Sequence, residues 1–200
     1  MGKSTHFLGQ PILGQLLNYL NKAKILQISR DCGGERYVKK FNAWCHLTVM
    51  LYAVISRFDS LCEITSATMA ECRKLQHLGI KDLPRRSTLS DANSRRDEGI
   101  FGNIYMDLYH TYKDRLSSDS PSHKVPKWMK RLQIIDSTTV SLLLTLLQRG
   151  VTHAWSFSGL ATIVRIMLMY YIDVMGFLEH PEKDWEVAWE EATSSPPAEK

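Results

Sequence analysis

Apolar positions recur at helical intervals over most of the chain, the pattern of helices buried on one face. Ile12, Leu13, Leu16, Leu17 and Leu20 follow Pro11, a residue suited to a first helical position, and predict a helix over 11–21. Ile25–Ile28 predicts a short second turn or helix, and Asp31–Gly34, with two glycines, a break. Phe41, Trp44, Leu47, Thr48, Leu51, Ile55 and Phe58 lie near one face of a strong helix. Asp59-Ser60 ends it or caps the next, whose stripe is Leu61, Ile64, Thr68, Cys72 and Leu75, closed near Gly79. Pro84 breaks the chain again. Ser87 is placed as the N-cap of a short polar helix, with Asp91 in its first turns. Phe101, Ile104, Tyr105, Leu108, Tyr109, Tyr112 and Leu116 predict an amphipathic helix over 97–116, its aromatics facing the core.

Three later stretches differ. Leu132, Ile134 and Ile135 form a short apolar run ending in Asp136, which reads as a buried strand with a carboxylate at its carboxyl end. Leu142–Leu147 is helical or extended. Leu160–Leu178 predicts one long apolar helix whose nineteen residues could span a bilayer by length. Arg165 and Asp173 would be costly inside lipid, which favours a helix buried against protein. Asp173 is expected to pair with Arg165 or to face solvent. The fold class is therefore mainly α. It comprises a helical N-terminal domain over 1–116 with a helix-turn-helix-like segment and a linker over 117–130. A first strand follows within 131–147, then the long apolar helix within 148–185 and an acidic tail over 186–200.

Charge changes this picture. The net charge of +4 conceals an asymmetry: residues 1–130 hold 20 Lys and Arg against 12 Asp and Glu, residues 131–200 only 5 against 9. A basic front half points to a polyanionic partner, nucleic acid first, the plainer reading being a solvated basic surface. The four cysteines (Cys32, Cys45, Cys62, Cys72) have no CxxC spacing and no paired histidines to complete a zinc signature. Met1–Gln10 is polar, without a secretory pattern, so reduced thiols in a cytoplasmic protein are expected, with Cys45 and Cys62 in the core.

The candidate DNA-contacting residues cluster around Leu83–Arg96. Arg85 and Arg86 precede the short helix and Arg95 and Arg96 follow it, with Ser87, Thr88 and Asn93 between. Arginines hold phosphates, while Ser, Thr and Asn can reach base edges. Helix, turn and polar-basic helix is also the order of a helix-turn-helix. Lys39 and Lys40 add positive charge upstream. The plainer alternative is a solvated helix end whose arginines pair with Asp91, Asp97 or Glu98.

Lys3-Ser4-Thr5-His6-Phe7, the run ERYVKKFNAWCHLTVMLYAVISRFDSLCEIT (Glu35–Thr65), PRRSTLSDANSRR and RLQIIDSTT together resemble bacterial insertion-sequence transposases of the DDE class. The branch has a helical N-terminal domain before an RNase-H-like core. The resemblance runs continuously over about 1–141, and residues 143–185 are similar to the extreme C-terminus of the same proteins. The segment between these pieces in complete members is absent, the join falling within Val140–Leu147. The resemblance implies a DNA-binding protein of DNA transposition and recombination, acting at element ends in a bacterial, nucleoid-associated setting. Intact transposase or a second copy would be its protein partners, and no membrane is implied.

The resemblance also implies that Asp136 is the first of three carboxylates that bind two Mg²⁺ ions, one activating the attacking oxygen and one stabilising the leaving oxygen. A single carboxylate cannot fix two ions about 4 Å apart. The family's second Asp is missing, as is its Glu in a Tyr-x-x-Arg-x-x-x-Glu pattern. Tyr171 and Glu179 are eight apart, with Val174 in the Arg place. The expectation is a truncated, internally deleted transposase, catalytically defective, with no functional magnesium. Two alternatives stand beside it: an active subunit whose missing acids come from another chain, and a non-catalytic helical interaction or membrane-associated protein.

Overall fold

The computed structural model describes residues 11–116 and 135–182, and side chains for all of these except 114–116 and 135–138. The Lys3–Phe7 motif, the expected linker, Arg131–Ile134 and the acidic tail lie outside the described residues. Ten helices are described: α1 (Ile12–Leu17), α2 (Lys22–Asp31), α3 (Ala43–Ser56), α4 (Leu61–Ala70), α5 (Cys72–His77), α6 (Arg86–Arg95), α7 (Gly99–Leu116), α8 (Ile135–Gly150), α9 (Phe157–Met167) and α10 (Val174–Glu179).

α3 is the central element, apolar almost all round and packed by α2, α4, α8 and α9. A helix with this composition has to be enclosed on every side. Its start is fixed by Asn42, whose side chain accepts from the Cys45 N–H at 2.9 Å. Its end is a Schellman turn: Phe58 N–H donates to Ala53 O and Arg57 N–H to Val54 O, with Arg57 itself left-handed at φ +60°. The buried Thr48 hydroxyl is satisfied within the helix, donating to Trp44 O. Ser60 then caps α4 through Glu63 N–H, and the Glu63 carboxylate returns to Asp59 N–H, so Asp59-Ser60 caps the following helix.

Two expectations are corrected. Ile135 and Asp136 open α8 and do not end a strand; among the described residues there is no strand. The reason is that an isolated strand leaves its N–H and C=O groups without ladder partners. The leucine run instead extends a helix back through this stretch, burying Leu142, Leu143, Leu146 and Leu147 at helical spacing.

The long apolar helix over Leu160–Leu178 is likewise two helices. α9 ends at Met167 and α10 begins after Asp173, whose carboxylate accepts from Met175 N–H as its N-cap. Between them the chain turns its carbonyls toward α1. Leu13 N–H donates to Leu168 O at 2.8 Å and Ile12 N–H to Tyr170 O at 3.0 Å. These are N–H groups that the first turn of a helix cannot satisfy internally. One turn on, the buried Gln15 amide donates to Ile172 O and accepts from Val174 N–H at 3.0 Å. Among the described residues no helix is long and apolar enough to cross a membrane.

Two smaller expectations also change. Ser87 lies inside the first turn of α6, the N-cap being Arg85 without a side-chain cap bond. Cys62 is exposed, whereas Cys45 is in the core, and all four thiols are free.

Candidate nucleic-acid interface

The loop between α2 and α3 and one face of α6 enclose an open cleft of about 540 Å³. On α6, Thr88, Ala92 and Arg95 line it, the i, i+4, i+7 spacing of a single helix face. From the loop come Arg36, Tyr37, Lys39 and Lys40. Of the sequence-derived candidates, Lys39, Lys40, Thr88, Arg95 and Arg96 therefore meet at one place. Arg85, Arg86 and Ser87 are exposed at the start of α6 but outside the cleft lining.

The loop is pinned from beneath. Glu35 accepts from the Ser29 hydroxyl at 2.9 Å and from Ala43 N–H at 2.8 Å, joining the end of α2 to the start of α3. Gly34 packs so closely that a Cβ there would lie 2.4 Å from Ile100 Cδ1 and 2.8 Å from Ser29 Oγ. Arg96 closes the arrangement from the α6 side, donating to Gly34 O and Phe41 O with its guanidinium 5.6 Å from the centre of the Phe41 ring. Burial pushes the Arg96 pKa down and nearby Glu35 opposes that shift, so the guanidinium stays charged among carbonyls. Arg96 is thus a strut that shapes the loop.

Asn93 is similarly occupied. Its Oδ1 faces His46 Nε2 at 2.6 Å and accepts from it, with the His46 ring between Phe41 and Phe101. Burial lowers the His46 pKa to about 4. Arg95 pairs with Asp91 at 2.6 Å and Lys40 with Asp82 at 3.1 Å. Both pairs are exposed, contribute at most about 1 kcal/mol, and would yield readily to a phosphate. Arg36 and Lys39 are exposed and carry no ion pair among the described residues.

Sequence reasoning missed two participants, Arg36 and Tyr37. Tyr37 is 95% exposed and its backbone is left-handed at φ +59°. For a residue of this size that conformation is an outlier. The available signal was an aromatic between a glycine pair and a lysine pair, in a segment too polar to be core.

Asp136 belongs by its backbone to the first turn of α8, and its side chain lies outside the described residues. Among the described residues no three His, Cys, Asp or Glu side chains gather where a cation could be held.

The described fold is thus a helical assembly around α3 carrying a basic, loop-walled cleft. Within it, residues 8–81 match the family described as "Domain of unknown function (DUF4372)". No curated protein and no solved structure matches the chain.

Proposed function

We propose that this is a transposase-family protein of an insertion sequence that binds DNA at the element ends and does not itself cut it. The observation that supports this most is the cleft, where Arg36, Lys39, Lys40 and Arg95 converge on one opening with a preset loop. The excess of cations over acids in residues 1–130 supports it too. So does the matched domain, which is commonly seen in transposase-like proteins. The resemblance of the Pro84–Arg96 and Arg131–Thr139 motifs to transposases supports a role in transposition. The family's second Asp and its Glu, which the resemblance implies, are missing from the sequence, and this supports binding without cleavage. Its place is then the bacterial cytoplasm, on DNA, with an intact transposase or a second copy as protein partner.

Gel shifts with duplexes carrying the sequences that flank the gene test this over a salt series. Each phosphate neutralised contributes a slope of about −0.9 in log K against log salt. Binding should weaken steeply with salt, and Arg36→Ala or Lys39→Ala should each lower the slope by about one. Binding indifferent to salt would sink the DNA reading. Mg²⁺-dependent nicking lost in Asp136→Ala would overturn the non-catalytic part.

A further inference from the structure

We propose that the cleft takes an unpaired nucleobase stacked on Tyr37, so that the protein grips single-stranded or locally opened DNA at this point. The proposal rests on the DNA-binding reading and adds the form of DNA.

An aromatic ring on a surface loop normally lies down on neighbouring apolar groups. Tyr37 does not, being almost wholly exposed at the wall of the cleft. Its left-handed backbone is unfavourable for a tyrosine, and such a residue persists only where its surroundings over-determine it. The surroundings here do so. Glu35, two residues earlier, is tied to Ser29 and Ala43, Gly34 is wedged against Ile100, and Arg96 holds the Gly34 and Phe41 carbonyls on either side. The ring is presented on a braced loop.

Charge decides what it would receive. Arg36 immediately precedes it in the chain, Lys39 and Lys40 follow, and Arg95 faces them from α6. An aromatic face among cations suits a ligand that is flat and anionic together, which describes a nucleotide. The cleft volume falls within the range of about 300–1,000 Å³ typical of sites that enclose a small molecule. A paired, stacked base in a duplex has no free face to offer. An unstacked one does, and the cations would then hold the phosphates on either side of it.

The test uses the full chain and two synthetic DNAs, a short duplex and the same duplex with a central unpaired stretch containing 2-aminopurine. Wild type should prefer the opened DNA and change the 2-aminopurine fluorescence on binding. Tyr37→Gly should weaken opened-DNA binding about tenfold and so remove the preference over the duplex. Tyr37→Phe should keep the preference. Glycine and asparagine both accept the left-handed backbone, so Tyr37→Asn serves as a second variant, and both should melt no lower than wild type.

Equal affinity for the two DNAs, or a preference that survives in Tyr37→Gly and Tyr37→Asn, overturns the proposal. If duplex binding is salt-dependent and weakened by Lys39→Ala while the Tyr37 variants change nothing, the DNA-binding reading stands and only the stacking role falls. If neither DNA binds, both fall.

Discussion

At the level of single residues, the cleft separates groups that shape it from groups left to act. Arg96 looks like a phosphate contact in sequence, sitting in a basic pair after a polar helix. Its hydrogen bonds instead go to two backbone carbonyls. Arg96→Met should therefore cost about 2 kcal/mol of stability, the scale of hydrogen bonds from a charged donor, read as a lower urea midpoint. Arg36→Ala, on an exposed side chain, should leave the midpoint where it is. Tyr37→Gly should raise stability by about 1 kcal/mol by relieving the left-handed backbone. His46 adds a pH dependence. Its folded pKa of about 4 lies below the ordinary 6.5, so as pH falls from 6.5 to 4 the unfolded chain takes up a proton that the folded chain refuses. Stability from this group is full above pH 6.5 and declines by roughly 3 kcal/mol across that window. Urea midpoints at pH 7 and pH 5 should diverge more in wild type than in His46→Leu. None of these roles was legible beforehand. Composition marks an arginine as cationic but does not say whether a carbonyl or a phosphate receives it. A left-handed backbone at tyrosine leaves no mark in sequence, unlike one at glycine.

At the level of elements, periodicity located most helices because each buries one stripe. It failed where the stripe was too dense to have a direction. Between Leu160 and Leu178 almost every residue is apolar, so the turn between α9 and α10 is invisible, although Asp173 is an ordinary cap residue in hindsight. The short apolar run before Asp136 suits strand and helix equally. The deciding factor is whether neighbouring strands exist, and that is not local information. The turn at 168–173 has its own consequence. Its carbonyls and Val174 N–H engage α1 and Gln15, so Gln15→Leu would remove two buried bonds and strand their backbone partners. A loss of about 2–4 kcal/mol is expected, together with faster proteolysis near 168–174 while the α3 region still resists.

For the whole molecule, the described helices share one continuous core, with Leu143, Leu147, Leu160 and Val164 buried alongside Ile12, Leu13 and Leu16. A fragment ending at Leu116 would expose the sides of α3 and α7 against which α8 and α9 pack. It should aggregate or melt far below the full chain by circular dichroism, and lose DNA binding with it, although the cleft residues are all present. An equally stable, monodisperse fragment would show that the later helices are dispensable. Which helices share a core depends here on partners as much as 159 positions apart, and such pairing leaves no periodic trace in sequence.

The bonds from α1 to the turn after α9 also bear on how the chain is made. At about 5–20 residues per second, α1 leaves the ribosome on the order of ten to thirty seconds before the carbonyls that complete it. Through that interval α1 is a short helix lacking acceptors for its first N–H groups, and α3 is an apolar rod with two sides uncovered. The nascent chain would depend on a chaperone's apolar surface until its last helices are released, and premature termination after α7 would yield a product for the cell's proteases.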